Sequence, residues 1–187
     1  MEEKNKPEIG REHEKKLNLG CGKRVLKGYI NLDIIKLEGV EVVHDLNKFP
    51  YPFLDNSFDE IRANSIFEHL YNLPNVLEEL WRISKPGAII NIGVPHFASL
   101  GAFVDLTHKQ FFTYYSFDYY SENPKKEISN LNYYSKARFK ISKRKIIYPK
   151  YFKIFEWFAN KVPHFHEIML RKFLPVKSLY FKLEVKK

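Results

Sequence analysis

Gly20 and Gly22, in the run Leu17-Asn18-Leu19-Gly20-Cys21-Gly22, stand directly after a short apolar segment. Glycines so placed let a backbone loop come close to a ligand at the carboxyl edge of a first strand. Two further apolar segments end in carboxylates, Asn31-Leu32-Asp33 and Val42-Val43-His44-Asp45. A carboxylate at Asp33 can accept hydrogen bonds from both hydroxyls of a ribose, and Asp45 falls near where an adenine would lie. Further along, His96, Asp105 and His108 have the make-up of a general base with an orienting carboxylate, because an imidazole exchanges protons near neutral pH. The competing reading is that His96 and His108 pin a lid by ordinary hydrogen bonds. His69 reads as a residue of a helix start near the pocket, and Cys21 as a small packing residue rather than a nucleophile. His164 and His166, with only Glu167 nearby, make a poor metal site, and no metal is expected.

These groups need elements to hold them. KLNL, GYINLDI, VEVVHDL, FDEIRAN and AIINIGV are short apolar runs separated by Gly, Pro and Asn, the pattern of strands in a mainly parallel sheet. Between the last two, LPNVLEELWRIS carries Pro74 in its first turn and an apolar stripe of Val76, Leu77, Leu80, Trp81 and Ile83, with Lys85-Pro86-Gly87 as its stop. Strand, helix and strand in that order predict a right-handed crossover and an α/β fold. RFKISKRKIIY and SLYFKLEVKK alternate basic with apolar residues, as edge or antiparallel strands do. Between them, YFKIFEWFANKV and FHEIMLRKFL read as helices broken at Pro163. Residues 1–15 read as a loose leader and 16–187 as one domain, with 96–135 a lid or acceptor segment and 149–175 a basic aromatic insertion.

A chain of 187 residues can bury a sizeable core without disulfides or metal. No run of about 18 apolar residues occurs, the start of the chain lacks the apolar core of a signal peptide, and the single cysteine excludes a disulfide framework within the chain. A reducing cytoplasm fits that composition best. The net charge of +9 is unevenly placed: residues 1–135 carry 16 Lys+Arg against 19 Asp+Glu, and residues 136–187 carry 15 against 3. The basic part suits a nucleic acid, an anionic membrane surface met through 149–175, or plain solvent. With 24 lysines to 7 arginines, nucleic acid is the less favoured partner.

LNLGCG, NLDI, HDLNKFPYPFLDNSFDEI, IFEHL and LEELWRISKPGAIINIGVP together resemble the class I S-adenosylmethionine-dependent methyltransferases. The resemblance covers roughly residues 16–94. It implies a Rossmann-like three-layer sandwich, with a mostly parallel seven-stranded sheet and an antiparallel strand near one edge. It further implies that Gly20, Cys21 and Gly22 wrap the methionine moiety, Asp33 with Ile34 holds the ribose, Asp45 with Leu46 frames the adenine, and Asn64 and Ser65 lie beside the reactive methyl. Asn18 stands where many members have an acidic residue, so its contact to the cofactor's amino group is weaker or indirect. Gly20 and Asp33 are only 13 positions apart, too close for a dinucleotide-binding unit, so the first helix must be short or replaced by a loop and NAD is disfavoured.

The expected activity is therefore methyl transfer from S-adenosylmethionine, with S-adenosylhomocysteine as product, to an oxygen or nitrogen of a small-molecule or glycan-type acceptor. The DLTHKQFFT block resembles a stretch of methyltransferases associated with sugar or surface-polysaccharide pathways. An RNA methyltransferase, or a silent binding module that keeps the fold, are the alternatives. Covalent pyrimidine chemistry is disfavoured because the only thiol sits in the cofactor loop. The aromatic cluster Phe111 to Tyr120 is expected to close over the pocket, where ring faces could stabilise a sulfonium.

Overall fold

The computed structural model describes residues 14–122 and 135–187, so most of the leader and of the polar gap near 122–132 lies outside the described residues. Its strands are β1 Lys16–Leu19, β2 Ile30–Asp33, β3 Val42–Val43, β4 Phe58–Asn64, β5 Ser84–Pro95, β6 Arg138–Ile147 and β7 Ser178–Lys186. They form one seven-stranded sheet in the order β3-β2-β1-β4-β5-β7-β6. The β2–β1–β4–β5 pairings are parallel, while β7 runs antiparallel to both of its neighbours. The expected mostly parallel seven-stranded, Rossmann-like sheet is thus present, with the reversed strand one place in from the edge.

Alternation along the strands decides which face is the core. Leu17 and Leu19, Ile61 and Ala63, Ile90 and Ile92, and Phe181 and Leu183 are all buried on one side. Helix α1, Leu73–Ile83, lays Val76, Leu77, Leu80 and Ile83 into this core. It starts where the Asn72 side chain accepts the Asn75 N–H and Pro74 fills the first turn, a position without a hydrogen-bond partner inside the helix. On the opposite face the intervening residues are polar and bond to each other: Asn91 donates to Glu60 at 3.0 Å, and the Tyr180 hydroxyl donates to Asn91 at 2.6 Å.

Several local expectations are corrected. Lys85-Pro86-Gly87 is an irregularity inside β5, since Ser84 pairs with Phe58 and regular pairing resumes at Ile89 opposite Glu60. The third strand shrinks to two paired residues. As the short Gly20–Asp33 spacing led one to expect, no helix occurs between β1 and β2, and turns fill that stretch. In the insertion, α2 (Lys153–Lys161) and α3 (Pro163–Ile168) meet at Pro163 as expected, but α3 is short and only a single 3₁₀ turn follows it. α2 closes the outer edge of β6: the Asn160 amide accepts the Ile146 N–H and donates to the Ile146 carbonyl, both at 2.8 Å.

Candidate functional site

The loop after β1 is fixed from three sides. Gly20 has φ +58°, and a Cβ there would stand 2.5 Å from Cγ1 of Ile66, so only glycine lets the loop lie against the segment that follows β4. The Gly22 N–H donates to Oδ2 of Asp33 at 2.8 Å, while Oδ1 accepts the Ile35 N–H at 3.1 Å. Cys21 is buried, and burial together with the nearby Asp33 carboxylate pushes its thiol up, which leaves it a poor nucleophile. Beneath the loop, Asn18 donates to the Arg24 carbonyl at 3.0 Å and to Oδ1 of Asn31 at 2.9 Å. Asn31 in turn accepts the Leu26 N–H and donates to the Leu26 carbonyl. This amide pair holds the 20–29 turns in place where a helix would otherwise supply the backbone bonds.

Asp45 accepts the Asn47 N–H at 2.9 Å, and Leu46 is buried with its carbonyl bound by the Tyr51 hydroxyl at 2.9 Å. Ile34 is exposed. Asn64 and Ser65 are both exposed, and the Ser65 N–H donates to the Gly93 carbonyl, tying the ends of β4 and β5 together at 2.8 Å. Both residues line a cleft of about 390 Å³ with Arg24, Gly93, Pro95 and Gly101. The cleft therefore opens at the carboxyl ends of the parallel strands, next to the glycine loop.

The three acidic and imidazole candidates fall into two separate networks. His96 is fully buried: its Nδ1 accepts the Ala98 N–H at 3.0 Å, so its proton sits on Nε2, which donates to Glu167 of α3 at 3.0 Å. Burial works to raise the Glu167 carboxyl, but the adjacent His166 ring, 3.8 Å away, and the hydrogen bond from His96 outweigh it and hold the group at about 2. His166 bonds through Nε2 to the Tyr148 hydroxyl at 2.8 Å. His108 and Asp105 belong elsewhere. His108 donates from Nδ1 to the Ala102 carbonyl at 2.9 Å, and its Nε2 lies 3.9 Å from Oδ2 of Asp105. Asp105 accepts the Thr107 N–H and hydroxyl at 2.9 and 2.7 Å, and these bonds hold its carboxyl below the usual range.

His69 joins this second network, which sequence reading did not anticipate: Thr107 Oγ1 lies 2.8 Å from its Nδ1, and its ring meets the His108 ring edge-on at 4.7 Å. Glu68 beside it is also buried, and its backbone carbonyl accepts the Lys109 and Gln110 N–H groups. The adjacent Glu68-His69 pair in IFEHL, set just past the end of β4, was the signal available in the sequence. For Glu167 there was none, because it reaches His96 across 71 residues.

The aromatic cluster divides. Phe112, Phe117 and Tyr120 are buried, with Phe117 packed against Phe181 of β7 at 4.7 Å, so these rings belong to the core. Tyr114 and Tyr115 lie under the Arg144 guanidinium, which also pairs with Asp118 at 2.5 Å. One part of the basic quarter thus holds the 114–118 segment in place. Another part carries an apolar surface: Tyr151, Ile154, Trp157, Phe165 and Phe173 are exposed on and around α2 and α3. Among the described residues no helix is long and apolar enough to cross a membrane.

Residues 30–92 match the family model described as a methyltransferase domain. No curated protein matches the chain by sequence. Among solved structures, a SAM-dependent methyltransferase from Archaeoglobus fulgidus is 16% identical, with 91% of this chain and 86% of that one covered and a TM-score of 0.53. An S-adenosylmethionine-dependent methyltransferase from Mesorhizobium loti is 14% identical over 95% and 93% of the two chains, TM-score 0.53. Phosphoethanolamine N-methyltransferase 2 of Haemonchus contortus, in complex with S-adenosyl-L-methionine, is 14% identical with a TM-score of 0.53; 95% of this chain is covered but only 49% of that longer one. At these identities the likeness establishes the fold.

Proposed function

From the premise that the chain carries a methyltransferase domain with the class I, S-adenosylmethionine-dependent fold, we propose that it binds S-adenosylmethionine at the 19–22 loop and methylates an oxygen or nitrogen of a small-molecule or glycan-type acceptor. The observation that carries this reading is the Gly22 N–H to Asp33 bond of 2.8 Å, which locks the glycine loop to the carboxylate at the end of β2. The residues fit the cofactor. A Cβ on Gly22 would meet nothing within 4 Å, so the space beside the loop is open. Each Asp33 oxygen accepts one backbone N–H and keeps a lone pair for a ribose hydroxyl. Asn18 is different: both of its donor contacts are spent inside the protein, so it braces the loop and does not meet the amino group.

Bound there, the cofactor supplies an electrophilic methyl on a sulfonium, which an acceptor takes by in-line displacement to leave S-adenosylhomocysteine. The chain's part is positioning and handling one proton. Asn64 and Ser65 form the cleft wall beside the loop. His108 is the proposed base: its Nδ1–H bond to Ala102 leaves Nε2 as the lone-pair nitrogen. His96 is a positioning residue in this scheme: fully buried and bonded to Glu167, it fixes the turn after β5. Asp33→Ala should weaken S-adenosylmethionine binding by at least tenfold in calorimetry while leaving the folded far-ultraviolet spectrum intact. Wild-type protein that binds neither S-adenosylmethionine nor S-adenosylhomocysteine would overturn the reading in favour of a silent binding module.

The exposed aromatic residues of α2 and α3, interleaved with Lys150, Lys153, Lys161 and Lys172, support peripheral contact with an anionic lipid surface. That contact would bring lipid-linked acceptors to the cleft.

A further inference from the structure

Two clusters of the fold bring two histidines and a glutamate together, and in each the ligand atoms lie within 4.8 Å of one another. Hydrogen-bond direction separates them. In the cluster of His96, His166 and Glu167, the Ala98 N–H occupies Nδ1 of His96, so the nitrogen facing Glu167 carries a proton and has no lone pair for an ion. In the cluster of Glu68, His69 and His108 the roles are reversed. The Ala102 carbonyl can only accept, so Nδ1 of His108 carries the proton. The Thr107 hydroxyl gives its own proton to Asp105 and therefore accepts from Nδ1 of His69. Both imidazoles are thus held with Nε2 unprotonated, each oriented by an oxygen behind it, as metal-ligating histidines are. The third group is Glu68, 1% exposed, whose Oε2 has no hydrogen-bond partner. A buried carboxylate oxygen left without a donor is costly unless something positive meets it.

We propose that Glu68, His69 and His108 bind a divalent first-row transition ion, with Zn²⁺ or Mn²⁺ as the representative cases. Two imidazoles and one carboxylate suit such ions better than the all-oxygen shells of Mg²⁺ or Ca²⁺. Ligand atoms about 2.1 Å from an ion lie roughly 3 to 3.5 Å apart, so the three side chains close by about an ångström on binding. Asp105 and Thr107 at the rim are exposed, which gives the ion a way in. Gly20 packs on Ile66, two residues before Glu68, so the site is tied to the glycine loop.

Its chemical part rests on the methyl-transfer reading and narrows the acceptor to a hydroxyl. Three protein ligands leave coordination positions open, and a hydroxyl bound there loses its proton to solvent water near neutral pH. The oxygen then forms its bond to the methyl carbon as the carbon–sulfur bond breaks, and that electron pair neutralises the sulfonium. The His108 lone pair serves the ion, and the ion takes over activation of the acceptor.

Metal-free protein titrated with Co²⁺ and Zn²⁺, followed by calorimetry and by the Co²⁺ visible spectrum, should bind one ion per chain, with Mg²⁺ as a weak control. Glu68→Gln and His108→Ala should each weaken binding at least tenfold, and His164→Ala should leave it unchanged. Thr107→Val, which removes only the oxygen behind His69, should weaken it about tenfold and serves if the other two fail to fold. No binding by the wild type, or binding that Glu68→Gln leaves within twofold, overturns the proposal. S-adenosylmethionine binding measured on the same samples separates the two claims. Cofactor bound without an ion removes the metal site alone, and an ion bound without cofactor removes the methyl-transfer reading alone.

Discussion

Replacing Glu167 by alanine tests how the turn after β5 is held. The carboxylate accepts the Nε2–H of His96, which has 0% exposure, and lies 3.4 Å from the Tyr114 N–H. Leaving a buried donor without its acceptor costs about 1–3 kcal/mol, and losing one buried methylene adds about 0.8 kcal/mol. The expected loss at pH 7 is therefore roughly 2–4 kcal/mol, or a drop in Tm of about 4–15 °C for a chain of this size. The same interaction can be read through pH. Glu167 is held at about 2 against an ordinary 4.5. A carboxyl depressed on folding stabilises above its unfolded value, and that stability fades as pH falls through the folded value. About 2.5 units correspond to on the order of 3 kcal/mol, in line with the first figure. Urea unfolding of wild type and variant at pH 7, 5 and 3 should show a gap that is full at 7, nearly full at 5 and clearly narrowed at 3. A loss below about 1 kcal/mol at pH 7, or a gap of equal size at pH 3, would refute the reasoning.

Gly20→Ala should destabilise the protein by about 2–5 kcal/mol, combining the left-handed backbone cost with overlap on Ile66; unchanged urea unfolding would mean that the loop and Ile66 move apart freely. Anionic phosphatidylglycerol vesicles should sediment the wild-type protein at low salt, and the Trp157→Ser, Phe173→Ser double variant should remain in the supernatant. Equal behaviour of the two would show that this face meets something other than lipid.

The central part of the fold was legible because short-range patterns carry it. The apolar runs FDEIRAN and AIINIGV and the stripe of LPNVLEELWRIS each specify an element without help from distant residues, and β4 and α1 lie where those patterns put them. The glycine loop and Asp33 were legible for the same reason, since their spacing follows from two adjacent strands. What could not be read depends on contacts made across long sequence separations. His96 allowed two readings, a base or a structural pin, and nothing local shows the buried pair it makes with Glu167 on another element. The rings of Phe112 and Phe117 looked like a lid because nothing local reveals that Phe181 packs against them. Asn31 is a further case: an ordinary strand residue by type, it proves to be the amide that replaces the missing first helix.

β6 is the outermost strand on its side of the sheet, and an outermost strand invites a second chain to pair with it. Asn160 answers one such invitation by occupying both backbone groups of Ile146 with a side-chain amide. Lys140 and Lys143 answer others by placing exposed like charges along the same strand. Part of the positive charge concentrated in the last quarter of the chain thereby acts as protection against self-assembly, whatever ligand or surface the remainder meets. An Asn160→Leu chain would keep its core and yet lose the device that keeps one molecule's sheet from continuing into the next.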